Sequence, residues 1–194
     1  MKGRKSGDRE NEIKLAVPNA GAARRLLRGA GFRVSKPRVF ETNAVLDTPD
    51  HAILHAGALL RIRQAGKHGI LTYKGPEDSD GPHKSRLEVE SEIADAKATQ
   101  FILGNLGYHP VFRYDKYRTE FTLPGESGTA MLDETPIGVY LELEGSPRWV
   151  DRTARRLGFS PTDYIKSSYG RLYADHCAAQ GRERGDMVFP ARHA

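Results

Sequence analysis

The chain reads as an α+β protein: an antiparallel sheet of eight strands, able to close into a barrel, with helices packed on its outside. Three observations predict this. Short segments of alternating charged and apolar residues recur between residues 10 and 144. Most are joined by short turns, so the strict strand–helix alternation of a parallel doubly wound sheet is missing. No Pro/Gly/Ser-rich linker and no fixed-period repeat divides the 194 residues, which suits one domain with its own core.

Taken in order, residues 1–9 are polar and expected to be disordered, and segment 10–17 is the first strand. Asn19 or the alanines after it open a helix that runs to about Gly31. A long strand over 33–47 ends in Asp47-Thr48-Pro49, with a short helix at 50–55. Segments 58–64 and 69–75 form a hairpin about Gly66-Lys67-His68-Gly69, and 76–82 is a surface loop. A strand over 84–93 precedes a helix over 95–106 that Gly107 caps. Segments 110–122, 128–134 and 137–144 form a meander, and helices are expected over 147–158 and 166–179. This gives a single domain over 10–177 and a polar C-terminal tail over 178–194, rich in Arg and Gly.

With 38% hydrophobic and 28% charged residues, the composition is that of an ordinary globular protein rather than a disordered one. A single cysteine, Cys177, leaves no internal disulfide and no cysteine-based zinc site, so a reducing cytoplasm is the expected compartment. No apolar run is long enough to span a bilayer, and the basic start Met1-Lys2-Gly3-Arg4-Lys5 has no apolar stretch behind it. Neither secretion nor a membrane partner is expected. The formal charge of +5 favours an anionic partner. Nucleic acid is not expected, because the basic residues alternate with carboxylates that a nucleic-acid footprint would exclude.

The alternation carries the chemistry. Residues two apart on a strand share a face. Glu10, Glu12 and Lys14 therefore share one, opposite Ile13 and Leu15. Arg61 and Arg63 lie opposite Leu60 and Ile62, and Lys74 with Thr72 lies opposite Leu71 and Tyr73. Arg86, Glu88 and Glu90 oppose Leu87 and Val89, and Lys116, Arg118 and Glu120 oppose Tyr117 and Phe121. Glu142 and Glu144 oppose Leu141 and Leu143, with Asp133 on the preceding strand. On one strand alone such a face is simply wet. Across six strands, ionised groups at successive same-face positions point elsewhere. In a closed sheet the apolar face packs under helices and the charged face lines the interior, where it is costly unless filled by water, cations and a polyanion.

Same-face carboxylates repel unless a cation lies between them. An oxygen-only donor set suits Mg2+ or Mn2+, which bind through a few carboxylates and substrate phosphates. The Lys and Arg residues would hold phosphate oxygens, Arg by bidentate forks and Lys as point charges. Other sites are set aside. His51 and His55 have helical spacing but no zincin glutamate, Ser167-Ser168 has no triad companions and reads as a cap, and no P-loop is present. Trp149 reads as packing a helix on the sheet exterior.

Glu10-Asn11-Glu12-Ile13-Lys14 resembles the Glu-x-Glu-x-Lys signature of the CYTH superfamily, the triphosphate tunnel metalloenzymes. The resemblance continues through Leu46-Asp47-Thr48-Pro49, Gly57-Ala58-Leu59-Leu60-Arg61-Ile62-Arg63 and Leu71-Thr72-Tyr73-Lys74-Gly75-Pro76. It goes on through Arg86-Leu87-Glu88-Val89-Glu90, Tyr114-Asp115-Lys116-Tyr117-Arg118, Leu132-Asp133-Glu134-Thr135 and Leu141-Glu142-Leu143-Glu144-Gly145. It ends in Asp163-Tyr164-Ile165-Lys166-Ser167-Ser168-Tyr169, so the ordered set spans about residues 10–173. It implies an eight-stranded antiparallel tunnel with Glu10, Glu12, Glu142 and Glu144 as metal ligands and Asp133 helping. It implies Lys14, Arg61, Arg63, Lys74, Lys116 and Arg118 as triphosphate ligands, with Arg86 and Lys166 as further additions. Glu10, Glu12, Lys14 and Glu142 form the expected catalytic group.

The superfamily includes class IV adenylate cyclases, thiamine triphosphatases and inorganic triphosphatases. The expected function is metal-dependent hydrolysis of a small-molecule triphosphate, because no residue pattern demands adenine and hydrolysis needs fewer parts. Cyclisation of ATP is the alternative, and the resemblance leans toward the class IV adenylate cyclases through Leu106-Gly107-Tyr108-His109-Pro110 and Tyr114-Asp115-Lys116-Tyr117-Arg118. A binding module without turnover is a third reading, which the paired glutamates disfavour. The expected assembly is a monomer or homodimer.

Overall fold

The computed structural model describes residues 9–77 and 82–190; of Arg9 and Glu10 only the backbone is described. Eight strands close into an antiparallel barrel: β1 (Arg9–Val17), β2 (Arg33–Asp47), β3 (Leu59–Ala65), β4 (His68–Glu77), β5 (Lys84–Ile93), β6 (His109–Thr122), β7 (Thr129–Thr135) and β8 (Gly138–Glu144). The order round the barrel is β1-β5-β4-β3-β2-β6-β7-β8. β1 closes it, pairing with β5 through Glu12↔Lys84 and with β8 through Lys14↔Glu142. Closure gives every strand a neighbour on each side.

Among the described residues, five α-helices accompany the barrel: α1 (Ala20–Gly29), α2 (Ala52–His55), α3 (Ala96–Asn105), α4 (Pro147–Arg156) and α5 (Tyr169–Ala179). Their starts are written in the sequence. Asn19, Asp95, Ser146 and Ser168 each accept a backbone N–H of the first turn, and Pro147 occupies the first position of α4. Gly107 ends α3 at φ +94, a conformation that costs glycine nothing.

The main core lies between the outward faces of β1, β7 and β8 and the helices α1 and α4. Ile13, Leu15, Leu132, Leu141 and Leu143 are fully buried there with Leu27 and Val150. Each such side chain contributes about 1.5–3 kcal/mol on leaving water. Trp149 packs on the sheet exterior as the sequence suggested, resting on two glycines. A Cβ built on Gly128 would stand 2.2 Å from its ring. A second cluster, Phe112, Tyr114, Tyr169 and Met187, joins β6 to α5 and the chain beyond it.

Three expectations differ from the structure. The last helix starts at Tyr169 rather than 166, because Ile165 is tied to β1: Lys14 N donates to Ile165 O and Ile165 N to Lys14 O, both 2.9 Å. That bridge holds the chain extended until Ser168 caps the helix. The stretch read as a polar tail from 178 first completes α5 and then docks beside β6. Met187 is buried, its N–H donating to Arg113 O and its carbonyl accepting from Asp115 N. Asp186 accepts from Arg113 N at 2.8 Å. Met187-Val188-Phe189 is a short apolar run in an otherwise polar stretch, and pairing with β6 supplied what overall composition did not. Within the expected disordered start, Arg9 already belongs to β1, and residues 1–8 lie outside the described residues.

Candidate tunnel site

Alternation along each strand turns one set of side chains into the barrel. On β1, Ile13 and Leu15 face the core while Glu12 and Lys14 point inward, both buried. A cavity of about 620 Å3 runs through the interior, lined by Glu12, Lys14, Arg61, Arg63, Lys74, Arg86, Lys116, Arg118, Glu142 and Glu144. These residues come from six strands, so the fold gathers most of the expected set at one place. Asp133 lies beneath the wall, fully buried. Glu10 pairs in register with Arg86, and its side chain lies outside the described residues. Lys166 is exposed between the Ile165 bridge and α5 and does not line the cavity.

The ions are arranged in local sets. Lys14 Nζ lies 3.3 Å from Glu12 Oε1 and 3.4 Å from Glu142 Oε1. Burial opposes its charge, but the two carboxylates outweigh burial and raise its pKa above the ordinary lysine value. Arg118 donates to both oxygens of Asp133, Nε to Oδ1 at 2.7 Å and Nη2 to Oδ2 at 2.5 Å, and Nη2 also donates to Glu142 Oε2. Despite complete burial, Arg118 and Lys14 hold the Glu142 carboxyl well below the usual carboxylate range. Lys116 Nζ and Tyr169 Oη both donate to Asp133 Oδ2, at 2.9 and 2.8 Å.

Across the tunnel, Lys74 lies 3.1 Å from Glu88, and Arg61 donates to Tyr114 Oη and Thr72 Oγ1, each at 3.2 Å. Glu41 lies 3.6 Å from Arg63 and 3.7 Å from Lys116. Burial works against its charge, yet Lys116, Arg63, Arg118 and Arg61 bring its pKa down to about 2. Lys84 is buried 2.7 Å from Glu77 and 3.9 Å from Glu12, and burial together with Arg86 pushes its pKa down. Two buried guanidinium atoms, Arg61 Nε and Arg86 Nε, have no hydrogen-bond partner among the described residues. Buried donors normally find a partner, and a bound anion is one that would suit them.

Among the described residues, no group of three His, Cys, Asp or Glu side chains is assembled tightly enough to hold a metal by itself. The donor chemistry nevertheless fits a hard divalent cation. Glu12 and Glu142 bracket the Lys14 ammonium, a positive charge standing between two carboxylates. The donors are all oxygen, and Mg2+ or Mn2+ commonly completes its shell with water and substrate phosphate.

Reasoning from the sequence did not single out Lys84, Glu41, Tyr114 or Tyr169. Lys84 shares parity with Arg86, and Tyr114 with Lys116, so both were within reach of the alternation rule. Glu41 follows the exposed first half of β2, where no inward face is visible. Tyr169 arrives on a helix, outside strand parity altogether.

The CYTH domain family matches residues 8–169 of this sequence. The chain belongs to the CYTH family. None of the curated proteins matches it. Solved structures share the fold of this chain. A candidate adenylate cyclase from Vibrio parahaemolyticus superposes with TM-score 0.73 at 22% identity, covering 87% of this chain and 99% of that one. A protein from Pyrococcus horikoshii gives TM-score 0.71 at 24% identity, covering 86% and 99%. A candidate adenylyl cyclase from Hippeastrum, described as having a dominant triphosphatase activity, gives TM-score 0.63 at 16% identity, covering 95% and 100%. Among the described residues, no helix is long and apolar enough to cross a membrane.

Proposed function

We propose that this CYTH protein hydrolyses a small-molecule triphosphate inside the barrel with the help of Mg2+ or Mn2+. One observation carries the reading: seven inward Lys and Arg residues, Lys14, Arg61, Arg63, Lys74, Arg86, Lys116 and Arg118, converge on one enclosed cavity that also holds paired carboxylates. A tripolyphosphate bears several charges along a short chain, and fixed cations on several walls match it without reorganising. Arg61 and Arg86 each bring to such a ligand a donor atom that has no partner among the described residues.

In this reading Glu12 and Glu142 would hold the metal, with Glu10 and Glu144 as further candidate ligands, and the ion would supply charge neutralisation and a more acidic water. The protein's own cations do the rest. Arg118 and Lys116, already fixed by Asp133, present charge to the equatorial oxygens of the chain. Arg61 and Lys74, on the facing wall, take the oxygens at the other end. The buried setting strengthens each of these contacts relative to water.

The second reading is cyclisation of ATP. It is favoured by an apolar stretch of the same cavity, Val45, Ile53, Leu54, Leu59, Val111 and Phe112, which could take a base. Product analysis with tripolyphosphate, thiamine triphosphate and ATP, each with Mg2+ and with Mn2+, tests both. Release of orthophosphate is expected; cyclic AMP with pyrophosphate would replace hydrolysis by cyclisation. No product from any of the three would leave a binding module and sink both enzymatic readings.

A further inference from the structure

Asp133 is a buried, heavily engaged carboxylate of the barrel. Its side chain is fully buried and accepts four hydrogen bonds: Arg118 Nε at 2.7 Å, Arg118 Nη2 at 2.5 Å, Lys116 Nζ at 2.9 Å and Tyr169 Oη at 2.8 Å. Three of these bonds fall on Oδ2 and one on Oδ1, so both oxygens are engaged by buried donors, and Asp133 does not line the cavity in which a metal would sit. Glu142 differs. One of its oxygens takes Arg118, while the other lies 3.4 Å from the Lys14 ammonium at the edge of the cavity.

Tyr169 is the only donor of this set that does not come from the barrel. It opens α5, and the chain just before it is bonded to the backbone of Lys14 through Ile165. Its ring has Lys14 Nζ and Lys116 Nζ each 5.3 Å from its centroid and packs edge-on against Tyr140. The phenol is therefore placed rigidly, and Asp133 raises its pKa well beyond the ordinary tyrosine value after burial has already done so. It stays a neutral donor.

We propose that Tyr169 and Asp133 form a positioning pair that holds Lys116 and Arg118 for the triphosphate, and that Asp133 takes no part in holding metal. The inference rests on the triphosphate-binding part of the reading above. Asp133 keeps two buried cations apart and pointed, as unpaired buried charges could not be kept. The phenol supplies the fourth donor, so that Asp133 does not depend on the cations alone. When a triphosphate draws Lys116 and Arg118 toward itself, Asp133 remains satisfied in part by Tyr169. Without that hydroxyl the cations leave Asp133 less readily, and the ligand binds more weakly.

The test uses binding rather than turnover, so it survives a failure of the hydrolysis reading. Tripolyphosphate is titrated in chelator, and Mn2+ is titrated separately, into the intact chain and the variants Tyr169→Phe, Asp133→Asn and Glu142→Gln. Tyr169→Phe keeps the ring and is expected to weaken metal-free tripolyphosphate binding by about 3- to 10-fold, the worth of one hydrogen bond. Asp133→Asn is expected to leave the Mn2+ isotherm within about twofold of the parent, whereas Glu142→Gln weakens it by about 10-fold or more. An unchanged tripolyphosphate isotherm in Tyr169→Phe overturns the pair. A Mn2+ isotherm weakened by Asp133→Asn as much as by Glu142→Gln makes Asp133 a ligand and overturns the assignment. Should Asp133→Asn not fold, Tyr169→Phe decides: tighter Mn2+ binding there would mean that the phenol had been withholding a ligand.

Discussion

Lys14 and Glu142 stand opposite each other on paired strands, with the ammonium 3.4 Å from one oxygen of the carboxylate. The other oxygen takes Arg118, so Glu142 joins the cation of β1 to the cation of β6. Glu142→Gln is expected to lower triphosphate turnover about 100-fold or more and to raise the metal concentration needed for half-maximal rate. It also leaves two buried cations short of one charge, at a cost of about 1–3 kcal/mol in a denaturant titration. Parental turnover would remove Glu142 from the site.

Arg61 donates to Tyr114 and Thr72, and the Glu90 carboxylate lies 3.5 Å from its Nη2. Arg61→Ala and Lys14→Ala should each raise KM for tripolyphosphate by about 10- to 100-fold, the loss of one charged hydrogen bond. The fold should persist by circular dichroism. An unmoved KM would detach that residue from the ligand.

Acid should expose the internal ion pairs. With its pKa held at about 2, Glu41 contributes stability that is fully present above the ordinary carboxylate range and is lost as pH falls from about 4.5 toward 2. The depression corresponds to about 3 kcal/mol. Glu41→Gln should therefore flatten the dependence of unfolding free energy on pH in that window, read by denaturant titration at each pH. A slope identical to the parent would show that the surrounding cations do not hold Glu41 ionised.

Metal removal separates chemistry from binding. Chelator should abolish turnover, and Mg2+ or Mn2+ should restore it, while tripolyphosphate still binds through the Lys and Arg set. Calorimetric titration in chelator reads the second half. No detectable binding without metal would place the affinity in the ion rather than in the walls.

Far from the tunnel, Gly128→Ala should destabilise the fold by about 1–3 kcal/mol through overpacking, because its new methyl meets the Trp149 ring. A thermal melt checks this. An unchanged melting point would mean that Trp149 can move away at no cost.

Much of this protein was legible because a strand reports its faces at a period of two. Glu12, Lys14, Arg61, Lys74 and Lys116 each reached the interior that alternation assigned them. Closure itself was not written in any one strand; it depends on β1 finding both β5 and β8. Tyr169 and Met187 were beyond parity for the same reason. Each is placed by tertiary contact, Tyr169 by the Ile165 bridge and Met187 by pairing beside β6. Lys166, suggested by resemblance alone, lies exposed outside the cavity.

The unbroken circuit of strands has a mechanical meaning. A groove between two lobes can widen around a larger guest, but a closed ring of eight strands has its bore set by strand number and stagger. The spacing between facing walls is thus fixed when the chain folds, before any ligand arrives. On the triphosphate reading proposed above, the barrel would work as a gauge: side chains such as Arg118 could shift toward a chain of phosphates, but the bore between Arg61 and Arg118 would not widen for a longer one.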